Sequence, residues 1–215
     1  MRRMHKTTLT LLLWGSLFAG QSVRADLASD IAHLQQRWAE VNYQLEGKTR
    51  LTAFEQLVEE AERAKAAYRN AAEALIWSGI IKSSYAGARG GLGALGLVKA
   101  AKLDLEQALE ANPAALQGSA YTSLGALYYS VPGWPIGFGD DQLAEEMLRR
   151  ALVLNPDGID SNYFYGSFLV AQDRFEEARH YLQKAQNAAP RPGRALADSG
   201  RQGEIAAVLQ EIAGK

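Results

Sequence analysis

The chain has no cysteine among its 215 residues. It can therefore form no disulfide, no thiolate metal site, no cysteine nucleophile and no thioether lipid anchor. Histidines number three, of which only His33 and His180 lie beyond residue 25, and prolines number six. Charge of one sign is also missing. Lys and Arg number 23 against 24 Asp and Glu, a net charge of -1 with an isoelectric point near 6.3. Without a basic surplus there is no electrostatic basis for binding nucleic acid. The apolar run Leu9 to Ala19 covers 11 residues, where a membrane-spanning helix needs roughly 20. What remains is 47% hydrophobic and 22% charged, the composition of a folded chain with a real core.

Residues 1–25 read as a secretory signal peptide. Arg2, Arg3 and Lys6 form a positive start, Leu9 to Ala19 an apolar middle, and Val23-Arg24-Ala25 a small-residue cleavage site. Cleavage after Ala25 removes four basic residues and no acid, which carries the net charge from -1 to -5. The expected compartment is the periplasm, with no stable membrane anchor, because no cysteine follows the apolar stretch for lipidation.

One pattern, Ala-x3-Leu-x2-Ala-x4-Pro, occurs three times: Ala101, Leu105, Ala108, Pro113; Ala144, Leu148, Ala151, Pro156; Ala178, Leu182, Ala185, Pro190. The three apolar positions share one helix face, small alanines let a second helix come close, and proline stops the run. Upstream of each lies a second pattern. Tyr121, Leu124, Gly125 and Tyr128 match W-x2-L-G-x2-Y with Tyr in the Trp position, and Asn162, Tyr165, Gly166 and Leu169 match it more loosely. Leu75, Ser78 and Gly79 match it more loosely still. Pro156 to Pro190 spans 34 residues, and Ala178 follows Gly166 by twelve. Over residues 72–190 the chain resembles the tetratricopeptide repeat superfamily. The resemblance implies paired helices stacked into a solenoid whose concave face binds a partner.

Two spacings depart from that period. Pro113 to Pro156 is 43 residues, and Arg69 to Pro113 is 44. The excess is expected as two long loops inside repeats, Tyr85 to Gly96 and Ser130 to Asp141. N-terminal to the repeats, the stripe Leu27, Ile31, Leu34, Trp38, Val41, Leu45 and the run Phe54, Leu57, Ala61, Ala64 predict two further helices. C-terminal to them, Ile205, Val208, Leu209 and Ile212 predict an amphipathic capping helix. The chain divides into a signal peptide (1–25), N-terminal helices forming a degenerate first repeat (26–70), repeats (71–190) and a tail with the cap (191–215). The fold class is an all-α, tetratricopeptide-like helical repeat solenoid of about ten helices.

Catalytic chemistry is not legible. Gly91-Leu92-Gly93-Ala94-Leu95-Gly96 spells G-x-G-x-x-G, but a dinucleotide site needs a preceding strand, and a helix is predicted there instead. That helix start keeps only a generic capacity for an anion. Neither His33 nor His180 has a His or carboxylate at i+3 or i+4, and the pair His33 with Asp30 at i-3 does not by itself make a metal face. The acidic pairs Glu59-Glu60, Asp140-Asp141, Glu145-Glu146 and Glu176-Glu177 diverge around their helices and read as solvated faces or helix-start charges. Asp140 and Asp141 stand where a carboxylate caps a helix. No nucleophile elbow or Ser-His-Asp order appears. No enzyme activity and no cofactor are expected.

Aromatics carry more information. Tyr121, Tyr128 and Tyr165 occupy packing positions of the repeat, whereas Tyr129, Trp134, Phe138 and Tyr163 do not. First-helix geometry places Ile76, Ile80, Ser83, Thr122, Ala126, Tyr129, Tyr163, Ser167 and Val170 on the concave face. The expected partner- or ligand-binding residues are thus Ile76, Ile80, Tyr129, Trp134, Phe138 and Tyr163, with the four aromatics gathered at the concave mouth. The function this predicts is a periplasmic binding or adaptor protein for a protein partner or a small apolar ligand. The Gly137-Phe138-Gly139-Asp140 element, in a secreted helical-repeat chain with expanded loops, resembles the T component associated with TRAP-type transporters. That resemblance implies a place beside a periplasmic solute-binding protein, and a homo-oligomer in which a trimer encloses a ligand-holding pore. The alternative is a structural scaffold in cell-envelope or outer-membrane assembly.

Overall fold

The computed structural model describes residues 15–215, with side chains from Asp26 onward. The first 14 residues of the expected signal peptide lie outside the described residues, and the expected cleavage point after Ala25 falls within the first helix. Among the described residues nine α-helices follow one another: α1 Gly15–Tyr43, α2 Gly47–Ala67, α3 Ala72–Arg89, α4 Ala94–Ala111, α5 Ser119–Ser130, α6 Asp141–Leu154, α7 Ile159–Ala171, α8 Phe175–Gln186 and α9 Ala195–Glu211. A short 3-10 turn, Ala115–Gly118, joins α4 to α5. No strand occurs among the described residues, so the glycine triplet at 91–96 lacks the sheet a dinucleotide fold requires. No described helix is long and apolar enough to cross a membrane.

The helices stack in two layers. Pairs α3–α4, α5–α6 and α7–α8 are antiparallel repeat units, and the odd-numbered helices α1, α3, α5, α7 and α9 each touch the next to form the inner layer. The three repeated motifs explain the pairing. The Cα of Gly79, Gly125 and Gly166 each faces the leucine of its own unit, Leu105, Leu148 and Leu182, and the carbonyl of the alanine before it, Ala101, Ala144 and Ala178. All six Ala and Leu partners are fully buried. Glycine is used here for closeness. A Cβ on Gly125 would stand 2.5 Å from Leu148 Cγ and 3.2 Å from the Ala144 oxygen. The leucine can turn aside but the backbone oxygen cannot, so Gly125→Ala is expected to cost ~1–3 kcal/mol. Gly203→Ala, in the middle of α9 with open space around it, should instead gain about 0.5–1 kcal/mol. Urea titrations followed by circular dichroism decide between these signs, and equal effects would break the repeat register.

Helix ends follow local chemistry. The first two motif prolines stand just beyond α4 and α6, whose last turns close on Asn112 and Asn155. Pro190 follows α8 at a longer interval, after Asn187. Asp140 caps α6, its carboxylate accepting from the N–H groups of Gln142 and Leu143 at 2.9 and 3.0 Å.

One of the two expected insertions needs correction. Residues 85–96 are not a long loop: only 90–93 connect α3 to α4, and the surplus length sits in two 18-residue helices. Tyr85 and Ala86 are buried against neighbouring helices, and that burial carries α3 through Gly87 to Arg89. The second insertion is a loop as expected, ten residues at 131–140.

The C-terminal helix also does more than cap the last repeat. Leu196 and Ala197, at its start, pack into the core of α1, α2 and α3, while Ile212, just past its end, packs among α6, α7 and α8. Gly200 abuts the ring of Tyr43 at the end of α1. Helix α9 therefore starts beside the first helix and ends on the last repeat, and the inner layer closes into a ring.

Candidate functional site

Closing the ring turns the concave face into a cavity of about 1270 Å³, beyond the roughly 300–1,000 Å³ of common small-molecule pockets. The inner helices present Ile80, Ser83, Thr122, Ala126 and Tyr163 to it, five residues that repeat geometry assigned to the concave face. Leu116 and Gln117, both in left-handed backbone conformation (φ 46° and 56°), also line it. Such conformations cost non-glycine residues ~1–3 kcal/mol each and are held only by surrounding structure.

One wall is charged. The carboxylate of Asp160, in the first turn of α7, receives Arg201 Nε at 2.9 Å and an Arg191 guanidinium nitrogen at 2.5 Å. Arg191 also reaches Asp198 at 2.6 Å, and Arg201 pairs with Glu204. The Arg201 guanidinium lies 4.3 and 4.7 Å from the ring centres of Tyr163 and Phe164, stacked as cations commonly are on aromatic faces. Burial alone would raise the Asp160 carboxyl, but the charges of Arg201 and Arg191 outweigh it and hold the group below its ordinary range. Burial likewise works against the charge on Arg201, and Asp160 more than restores it. Tyr43 is pushed up to about 12, chiefly by burial.

The opposite side is apolar, built from Leu95, Val98, Leu127, Val131, Pro132 and Ile136. Leu92 and Ile136, one from each inter-helix connection, stand exposed where they line the cavity.

The six residues expected at the site are dispersed. Ile80 and Tyr163 line the cavity. Ile76 does not; it is 0% exposed and belongs to the core of α3, α4 and α5. Tyr129 packs edge-on against Phe168, ring centres 5.9 Å apart, and burial pushes its hydroxyl pKa up. Phe138 folds back on Tyr128 at 5.8 Å, with the Lys102 ammonium 5.7 Å from its ring. Trp134 is 89% exposed on the 131–140 loop. The four aromatics therefore do not form one cluster, because Phe138 and Tyr129 satisfy separate packing sites on either side of α5. In the Gly137–Asp140 element, the two glycines lie against the backbone of Val131 and Pro132, and Asp140 caps α6.

Sequence reading missed Asp160, Arg191, Arg194 and Arg201. Their signal was present as three arginines within residues 191–201, a stretch read as a mere tail. It also missed Glu145, which the acidic-pair argument placed on a solvated face. Arg174 at 2.9 Å, with Arg149 and the Tyr165 hydroxyl, holds that carboxyl down to about 2 and ties α6 to the start of α8.

The family model of the tetratricopeptide repeat matches residues 159–192, the α7–α8 unit. No curated protein matches the chain. Among solved structures, the crystal structure of MamA aligns over 75% of this chain and 88% of that one, at 18% identity and a TM-score of 0.45. The chain is thus similar to the tetratricopeptide repeats through its α7–α8 unit, and α3–α4 and α5–α6 repeat that unit's glycine-to-leucine contact.

Proposed function

We propose that this protein is a periplasmic binding or adaptor protein in which the ring-closed concave cavity holds a ligand or partner segment, with the 131–140 loop presented to a protein partner. A tetratricopeptide-like fold suits protein interaction, since stacked helix pairs offer an extended inner surface. The observation that carries the reading is the return of α9 to α1, which converts that surface into a deep, half-open site. The signal-peptide pattern at 1–25 supports the compartment. The T-component resemblance makes a solute-binding protein the first partner to seek; an envelope-assembly scaffold is the other reading, favoured by the exposed Trp134 and Ile136.

A photo-crosslinking residue in place of Trp134, introduced in cells, tests this. It should trap one defined periplasmic protein, while the same residue at Val153, 82% exposed on α6, should not. A trapped solute-binding protein supports the adaptor, and an assembly component supports the scaffold. Equal labelling from both positions would remove the partner surface. Trp134→Ala should leave the melting temperature unchanged, because the side chain is almost fully in solvent.

A further inference from the structure

Arg194 differs from the other two arginines of the charged wall. It lines the cavity and sits 5.2 Å from the centre of the Trp77 ring. Its Nε is buried with no hydrogen-bond partner, and among the described residues it makes no ion pair. Arg191 is taken up by Asp160 and Asp198, and Arg201 by Asp160 and Glu204. A buried guanidinium N–H left without an acceptor is costly, and an anion entering the cavity would relieve that cost. Burial, reinforced by the neighbouring charge of Arg191, pulls its pKa below the ordinary arginine value.

The surroundings narrow the anion. One guanidinium is open while Asp160 and Glu204 stand in the same wall, so a dianion such as phosphate would meet repulsion that a single carboxylate largely avoids. A planar carboxylate also matches the planar guanidinium fork. The patch formed by Leu95, Val98, Leu127 and Ile136 suits a hydrocarbon chain, with the hydroxyls of Ser83, Thr122 and Ser130 on α3 and α5 lining the cavity beside it.

We propose that the cavity binds an amphipathic monocarboxylate, an acyl chain whose single carboxylate rests on Arg194 and whose tail lies along the α3–α4–α5 side. This rests on the reading of the cavity as the binding site. Laurate and its uncharged counterpart dodecanol are the probes, each displacing the neutral dye N-phenyl-1-naphthylamine from the full chain. Laurate should displace it from wild type at a concentration about tenfold lower than dodecanol, the worth of one charge-assisted contact. Arg194→Gln should erase that preference by weakening laurate alone, with little change in melting temperature, because the guanidinium it removes makes no ion pair and gives up only its stacking on Trp77. Arg194→Lys should keep part of the preference. Ala126→Trp, which narrows the cavity, should weaken binding of the dye and of both probes.

If wild type takes laurate and dodecanol equally, or Arg194→Gln keeps the preference, the carboxylate anchor is overturned while the cavity remains a site. An apolar peptide acid that displaces the dye better than laurate overturns the acyl class. If the dye binds Ala126→Trp as well as wild type, the cavity reading itself falls, and this proposal with it.

Discussion

Asp160→Asn should lower the stability of the protein at pH 7 by ~3–5 kcal/mol, the cost of stranding a buried charge by removing its partner. For a chain of this size that is a fall of roughly 6–20 °C in melting temperature. Arg201, almost completely buried between α7 and α9, then keeps only the part-exposed Glu204 as a partner. Arg191, which fixes the approach to α9, loses one of its two carboxylates in the same substitution. The pH dependence has a definite sign. Because Asp160 is held below its ordinary pKa in the folded state, its contribution is complete above the unfolded value near ~3.9 and is lost as pH falls through the folded value. Wild type and variant should therefore differ fully at pH 7 and pH 5, and converge as pH drops below about 4. Thermal melts by circular dichroism at pH 7, 5 and 3 measure both features. A constant gap across that range would mean that Asp160 acts by shape and not by charge. The same substitution should loosen the ring, since Asp160 is the carboxylate that α9 uses to hold α7.

The second large effect lies on the other side of the molecule. Asp104, at the buried face of α4, accepts from Ser78 at 2.7 Å, from Lys65 at 2.9 Å and from Lys82. Ser78, Lys82 and Asp104 are all buried, and the network joins α2, α3 and α4 into one body. Asp104→Leu alone should cost ~3–5 kcal/mol, since Lys82 keeps only the half-exposed Glu62 as a partner. Replacing both members, Asp104→Leu with Lys82→Met, removes the stranded charge and should recover at least ~2 kcal/mol of that loss. The measurement is a double-mutant cycle in urea. Additive losses would show that the pair is not coupled and that each side chain acts through its own packing.

These two networks show where sequence reading stopped. Asp104 stands next to Leu105 inside the first Ala-Leu-Ala motif, in a position the motif leaves open. Asp160 and Arg201 are separated by 41 residues. Neither is marked by a local pattern, because a buried ion pair is chosen by what lies opposite and not by its neighbours along the chain. Glu145 makes the same point: its neighbour Glu146 pairs only within its own helix, whereas Glu145 meets Arg174 from the start of α8. Of the residues expected at the site, helical period recovered Ile80 and Tyr163 but misplaced Ile76 and Tyr129, which the packing of neighbouring helices covers. Phe138 and Trp134 were not, because each lies on a loop whose course depends on the surface beneath it.

The sequence by itself determined the all-helical class, the stops near Pro113 and Pro156, the Asp140 cap and the glycine-to-leucine contacts of the three repeats. Each is written within one or two turns of helix or one helix pair, where periodicity, capping and side-chain size act directly. Only the tertiary structure decided that residues 85–89 extend α3, that Trp134 points into solvent, and that α9 returns to α1. Closure depends on curvature accumulated over successive helix pairs, and on contacts such as Tyr43 against Gly200 between residues remote in sequence. The cavity and its unpaired Arg194 exist only because that ring closes.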